Sequence, residues 1–263
     1  MKYKYYYMLL IMAIIFICFG YGMIYYYSPP KECEPYPIPH NDDDTIRVAY
    51  LGDSWAFFHQ PYDEKATDSL SKKLNHPAKV TSFGYCGQTS KEIYKYFYNK
   101  YHMKRFLSKG YDYCFIAVGI NDTNKKMSTN YYKKSMEYII NFMLANHITP
   151  IVLEIPDYDI EKTYRWEIPS RKPLRRFSRL VTGTPINCKR EFRKALNDLL
   201  VYKKYRDSVY VIRYMAWNSN YTKDMKTLYE NDGIHVNERG YAKLDSCIIE
   251  TCLKDYQTKH GKN

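Results

Sequence analysis

Five residues of this 263-residue chain are of the types that acyl transfer through serine requires. Ser54 stands in "YLGDSWAF", directly after the apolar run 46–51. Asp232 and His235 stand three apart in "NDGIHVNERGY", a spacing that lets a carboxylate reach one imidazole nitrogen and leaves the other free. Gly87 in "GYCGQTS" and Asn121 in "GIND" could supply donors to an oxyanion, one through its backbone and one through its side-chain amide. A nucleophile, a base, a group that orients the base and oxyanion donors are the parts this chemistry needs. Each residue also has a plain structural alternative. Ser54 could cap a helix. Gly87 could only shape a turn, Asn121 could form an Asx turn, and Asp232 with Gly233 could be a turn pair.

What favours the chemical reading is where these residues fall along the chain. Apolar runs at 46–51, 78–86, 111–119, 149–156 and 208–214 predict five strands. Helix-like segments at 63–75, 90–99, 130–147, 186–205 and 237–256 alternate with them. Such alternation predicts an α/β fold with a mostly parallel sheet and helices on both sides. Functional groups in such sheets gather beyond the carboxyl ends of the strands. Ser54, Gly87, Asn121 and the Asp232–His235 pair all fall there.

The four blocks, in this order, resemble the SGNH/GDSL hydrolases, and the resemblance runs from residue 46 to the final helix. "GDSW" matches the first block, with Trp55 where the family's short name has leucine. "GYCGQTS" matches the second, with Ser82 upstream where many members carry an asparagine. "VGIND" matches the third and "DGIHVNERGY" the last. The resemblance implies a flavodoxin-like three-layer α/β/α sandwich. It implies Ser54 as nucleophile, His235 as base and Asp232 as its partner. The oxyanion hole would comprise the Ser54 and Gly87 amides and the Asn121 side chain. Asp53 and Asp122 are expected to support turns.

The N-terminus bears on location. "MKYK" carries two lysines, and 5–27 holds no charged residue. Such a run is long enough to cross a hydrocarbon core of ~30 Å, and tyrosines crowd both of its ends. The lysines predict an N-terminus that stays inside and a remainder that is exported. Gly20 and Gly22 would also fit a signal-peptidase site, but the apolar run continues past them, which favours a retained anchor. The expected organisation is an anchor (or signal peptide) at 1–27, a Pro/Asp-rich linker at 28–45 that holds the domain off the membrane, and a hydrolase domain at 46–263.

The formal net charge of +12 favours anionic surroundings, lipid headgroups or acidic glycans. No zinc-finger spacing, RNP-like motif or basic heptad array argues for nucleic acid. No CxxC or His-rich cluster points to a metal, and no cofactor is expected. Of the seven cysteines, Cys86 and Cys114 lie in apolar runs and read as buried small hydrophobes, and spacing identifies no disulfide. The stretch 157–185 is long for a connection and includes Arg171, Arg175 and Arg176. It is either a solvated basic loop or a wall that recognises an anionic substrate or the lipid surface.

The expected function is an extracytoplasmic, membrane-tethered serine esterase that removes O-acyl groups from an envelope glycan or related ester. Its partners are then an acylated carbohydrate or lipid ester and the membrane. An O-acyltransferase with the same catalytic residues, a phospholipase, and a binding module on a retired hydrolase scaffold are the alternatives.

Overall fold

The structure, a computed structural model, describes residues 2–28, 43–165 and 169–260. An apolar helix α1 (Lys2–Tyr27) comes first. Then follow β1 (Ile46–Gly52), α2 (Ser54–His59), α3 (Asp63–Leu74), β2 (Ala78–Gly84), α4 (Ser90–Lys95) and α5 (Lys100–Leu107). The middle of the chain holds β3 (Tyr113–Ala117), α6 (Ile120–Lys125), α7 (Thr129–Ala145), β4 (Thr149–Leu153), α8 (Ile160–Arg165) and α9 (Lys172–Thr182). The last third holds α10 (Lys189–Leu200), α11 (Lys203–Arg206), β5 (Tyr210–Ile212), α12 (Tyr214–Trp217), α13 (Tyr221–Leu228) and α14 (Glu238–His260).

All five strands are parallel, in the order β2-β1-β3-β4-β5. Apart from Arg47 in β1, both β1 and β3 are buried and apolar because helices cover both faces. On one side Val48, Tyr50, Val80 and Phe115 face Leu70 of α3 and Ile248 and Ile249 of α14. On the other, Phe83 packs on Phe106 of α5, and α7 lies along β4 between α4 and α10. These are the three layers that the alternation predicts. The order reverses at β1, which has β2 on one side and β3 on the other, so a crevice opens beyond the ends of β1 and β3.

Two expectations need correction. The stretch 157–185 is not mere loop: α8 and α9 lie in it, and α9 is amphipathic. Nor does the domain stand clear of α1. The end of α1 packs directly on α9 and α7. Gly22 permits this, since a Cβ there would sit 2.7 Å from the Phe177 ring. Tyr26 is buried with Met127, Tyr131 and Val181. Ser128 Oγ donates to the Tyr26 carbonyl at 2.9 Å and the Tyr27 hydroxyl to that of Val181 at 3.1 Å. Of the linker expected at 28–45, residues 29–42 lie outside the described residues.

Among the described cysteines all six are free. Cys114 is buried as expected, whereas Cys86 is exposed, because β2 ends at Gly84 and Cys86 belongs to the turn that follows.

Candidate active site

Ser54 is the first residue of α2, and the helix cap is Asp53, whose Oδ1 accepts from the Trp55 N–H at 3.1 Å. The serine is therefore released from capping. Its own N–H, in the first turn, has no helical carbonyl to bond. α2 crosses close over the end of β2, where a Cβ on Gly84 would lie 1.9 Å from the Phe57 nitrogen. Only a glycine lets the helix seat there.

The candidate base, His235, arrives from the other end of the chain. An antiparallel bridge between Tyr229 and Val236 closes the loop that carries Asp232 and His235, and the Glu230 N–H donates to the His235 carbonyl at 2.8 Å. Asp232 Oδ1 accepts from the N–H groups of Ile234 and His235, at 2.8 and 3.0 Å. Its Oδ2 lies 2.6 Å from His235 Nδ1, and His235 Nε2 lies 2.8 Å from Ser54 Oγ. Burial raises the Asp232 carboxyl, but the bonds from His235 and the two backbone amides outweigh it and hold the group at about 2. Ionised, it can only accept, so Nδ1 carries the proton and the Nε2 lone pair faces the serine hydroxyl.

The candidate oxyanion side is built from the other two blocks. After β2, Gln88 N–H donates to the Tyr85 carbonyl at 3.2 Å, closing a turn with Gly87 at φ +73°. That is the third position of a type II turn, which favours glycine. Tyr85 N–H donates to the Gly52 carbonyl at 3.0 Å and ties this turn to the end of β1. Asn121, on the first turn of α6, donates from Nδ2 to Asp53 Oδ2 at 3.1 Å. The amide keeps a second N–H for a ligand.

The two aspartates of these blocks are joints. Asp122 is buried and accepts from both the N–H and the hydroxyl of Ser90, at 2.8 and 2.5 Å. It thereby joins α6 to the start of α4. Thr89 caps α4, and Glu92 completes a capping box with it. Burial pushes Asp53 up to about 7, against the bonds it receives from Trp55 and Asn121, and Asp122 up to about 6.

A cavity of about 880 Å³ opens beside these groups, lined by Gly87, Asn121 and Asp232 among others. Of the three arginines expected to bind substrate, Arg171 and Arg175 line it. Arg176 is exposed on α9 and does not line it.

The residue that sequence reading missed is His59, at the end of α2. It is fully buried, with Nδ1 2.9 Å from Asp63 Oδ1 and 2.8 Å from Ser82 Oγ, and Nε2 3.0 Å from Asp245 Oδ1. Burial lowers its pKa, but the two carboxylates more than offset this and lift it to about 9. The network fastens the helix that begins with Ser54 to α3, β2 and α14. The i, i+4 spacing of His59 and Asp63 was the available signal. Asp245 lies 186 residues away and gave none.

No protein-family model and no curated protein matches the chain by sequence. Solved structures do match in fold. A lipase/acylhydrolase from Enterococcus faecalis aligns with a TM-score of 0.56 at 17% identity, over 80% of this chain and 96% of that one. A GDSL-like lipase from Bacteroides thetaiotaomicron gives 0.51 at 15%, over 80% and 88%. A member of the lipolytic G-D-S-L family from Veillonella parvula gives 0.51 at 15%, over 78% and 97%. These chains are matched over nearly their full length, and the fold of this chain is the one shared by the SGNH/GDSL lipases and acylhydrolases.

Proposed function

We propose that this chain is a membrane-tethered serine esterase that works outside the cytoplasm and removes O-acyl groups, chiefly O-acetyl, from an envelope glycan or related ester. Residues 1–27 serve as a retained anchor and 46–263 as the catalytic unit. The observation that carries the reading is the Ser54–His235–Asp232 relay, with both contacts within 2.8 Å.

Ser54 Oγ attacks the ester carbonyl as its proton passes to His235 Nε2. Asp232 stabilises the imidazolium through Nδ1. The carbonyl oxygen, now negative, is held by the amides of Ser54 and Gly87 and the Asn121 side chain. The alcohol leaves with the proton from His235, and the acyl group stays on Ser54. Water, deprotonated by the same histidine, then releases the acid. Arg171 and Arg175 favour an oxygen-rich or anionic substrate body.

The test is acetate release from acetylated carbohydrates by the full chain in detergent, with fluorophosphonate labelling alongside. Turnover and labelling in the wild type, both lost in Ser54→Ala, support the reading. A folded wild type that neither turns over nor labels overturns it. Labelling with transfer only to an added acceptor hydroxyl identifies a transferase.

A further inference from the structure

We infer that the last turns of the membrane helix are a wall of the reaction cavity, and that Tyr25 and Tyr26 there select an ester carried by a membrane amphiphile over the same ester free in water. The inference rests on the esterase reading above and on α1 spanning a bilayer.

The cavity that holds Gly87, Asn121 and Asp232 is lined on another side by Tyr25 and Tyr26. The helix that anchors the protein therefore borders the space where the acyl group must sit. Its seat there is specific. The Tyr25 hydroxyl donates to Glu92 Oε1 at 3.2 Å, and Glu92 Oε2 accepts from the Thr89 N–H at 2.8 Å. Thr89 follows Gly87 of the oxyanion turn by two residues. Lys91 Nζ donates to the Ser28 carbonyl at 2.8 Å, which fixes the point where the chain leaves the helix.

The depth of the seat decides where the substrate comes from. α1 faces outward almost throughout from Tyr3 to Tyr21, and its packing on the domain begins at Gly22. At ~1.5 Å per residue the outward part is about 28 Å long, close to a hydrocarbon core of ~30 Å. The docked turns then start where the hydrocarbon ends, and the cavity opens at that level.

Helix α9 agrees with this placement. It packs beside α1 and leaves Leu174 and Leu180 exposed at 63% and 74%, and Arg176 is exposed as well. Apolar side chains among arginines suit a helix at the headgroup boundary. Leu174 also lines the cavity. An amphiphile could keep its tail in the bilayer beside α1 and Leu174 and bring an acylated head over the tyrosines to Ser54.

The test uses the full chain in nanodiscs of phosphatidylcholine and phosphatidylglycerol. Two probes carry one ester head: dodecyl glucoside tetraacetate, which enters the disc, and methyl glucoside tetraacetate, which stays in water. The readout is the ratio of their kcat/KM values. The Tyr25→Ala/Tyr26→Ala variant should lower the ratio about tenfold, through KM for the dodecyl ester, on the scale expected for removing an apolar contact from a binding wall. Tyr25→Phe/Tyr26→Phe keeps both rings and should keep the ratio, which separates a lost wall from a misfolded one. Tyr6→Ala, at the far end of α1, should also keep it. A ratio unmoved by the double alanine change, or moved equally by Tyr6→Ala, overturns the inference. Failure of the esterase reading is told apart by Ser54→Ala on the methyl probe, where surviving turnover would count against that reading.

Discussion

His235 Nε2 lies 2.8 Å from Ser54 Oγ although 181 residues separate the two. With Nδ1 committed to Asp232, the imidazole has one tautomer and one direction in which to take a proton. Asp232→Asn should disturb both. We expect kcat to fall by about 10⁴-fold for Asp232→Asn and by about 10⁶-fold for Ser54→Ala or His235→Ala. Steady-state acetate release from a chromogenic acetyl ester measures all three. A loss under tenfold in Asp232→Asn would remove Asp232 from the relay.

Asn121 is held by Asp53, so the two should fail together. Asn121→Ala removes one proposed oxyanion donor and should cost about 10²–10³ in kcat with little change in KM. If Asp53 acts by aiming that amide, Asp53→Asn should also lower kcat, and the double variant should be no worse than Asn121→Ala alone. Additive losses would show that they act separately.

The same aspartate gives a stability slope. Its pKa is raised from 3.8 to about 7 by burial, so between these values the folded chain keeps a proton that the unfolded chain has released. The stability this contributes is complete below 3.8 and is lost as pH rises through about 7. In Asp53→Asn the melting temperature should decline less between pH 4 and pH 7 than in the wild type. Parallel melting curves for the two proteins would refute the assignment.

His59 makes a second window. Its pKa rises from 6.5 to about 9 between Asp63 and Asp245. The stabilisation is complete below 6.5 and is lost as pH rises through about 9. His59→Gln should remove that loss from the melting profile. Asp245→Asn, which takes one partner from a buried ion pair, should cost roughly 3–5 kcal/mol by denaturant titration. Since the network secures α2, kcat should drop as well, even though His59 touches no substrate.

Gly22 sets the distance between α1 and α9. Gly22→Leu should force the Phe177 ring aside and open the contact. Hydrogen exchange of the amides at 172–182, followed in detergent, should speed up in this variant and stay as in the wild type for Leu9→Ala. Unchanged protection would mean that α9 is held without α1.

Much of this architecture was legible because it follows from periodicity. The apolar runs of β1 and β3 mark buried parallel strands, and strand ends mark the rim, so Ser54, Gly87, Asn121, Asp232 and His235 could be assigned to one place. What stayed hidden depends on distant pairs. That Asp53 rather than Ser54 caps α2 is a matter of backbone angles at one turn. That Asp245 reaches His59 depends on how α14 lies across α3, which no local pattern records. α9 read as loop because its three arginines and lysine masked an apolar stripe of Leu174, Phe177 and Val181. The docking of α1 was invisible because a glycine in an apolar run looks the same whether it meets lipid or a phenylalanine.

The strand order has a consequence in time. β3, β4 and β5 join the sheet on one side in the order in which they are made, so it can grow outward as the chain emerges. The serine is made early and its base late. At ~5–20 residues per second, the span from Ser54 to His235 takes roughly 10–35 s to synthesise. Throughout that interval the growing chain holds Ser54 without His235 beside it, and the contact between them can close only after residue 235 has been made.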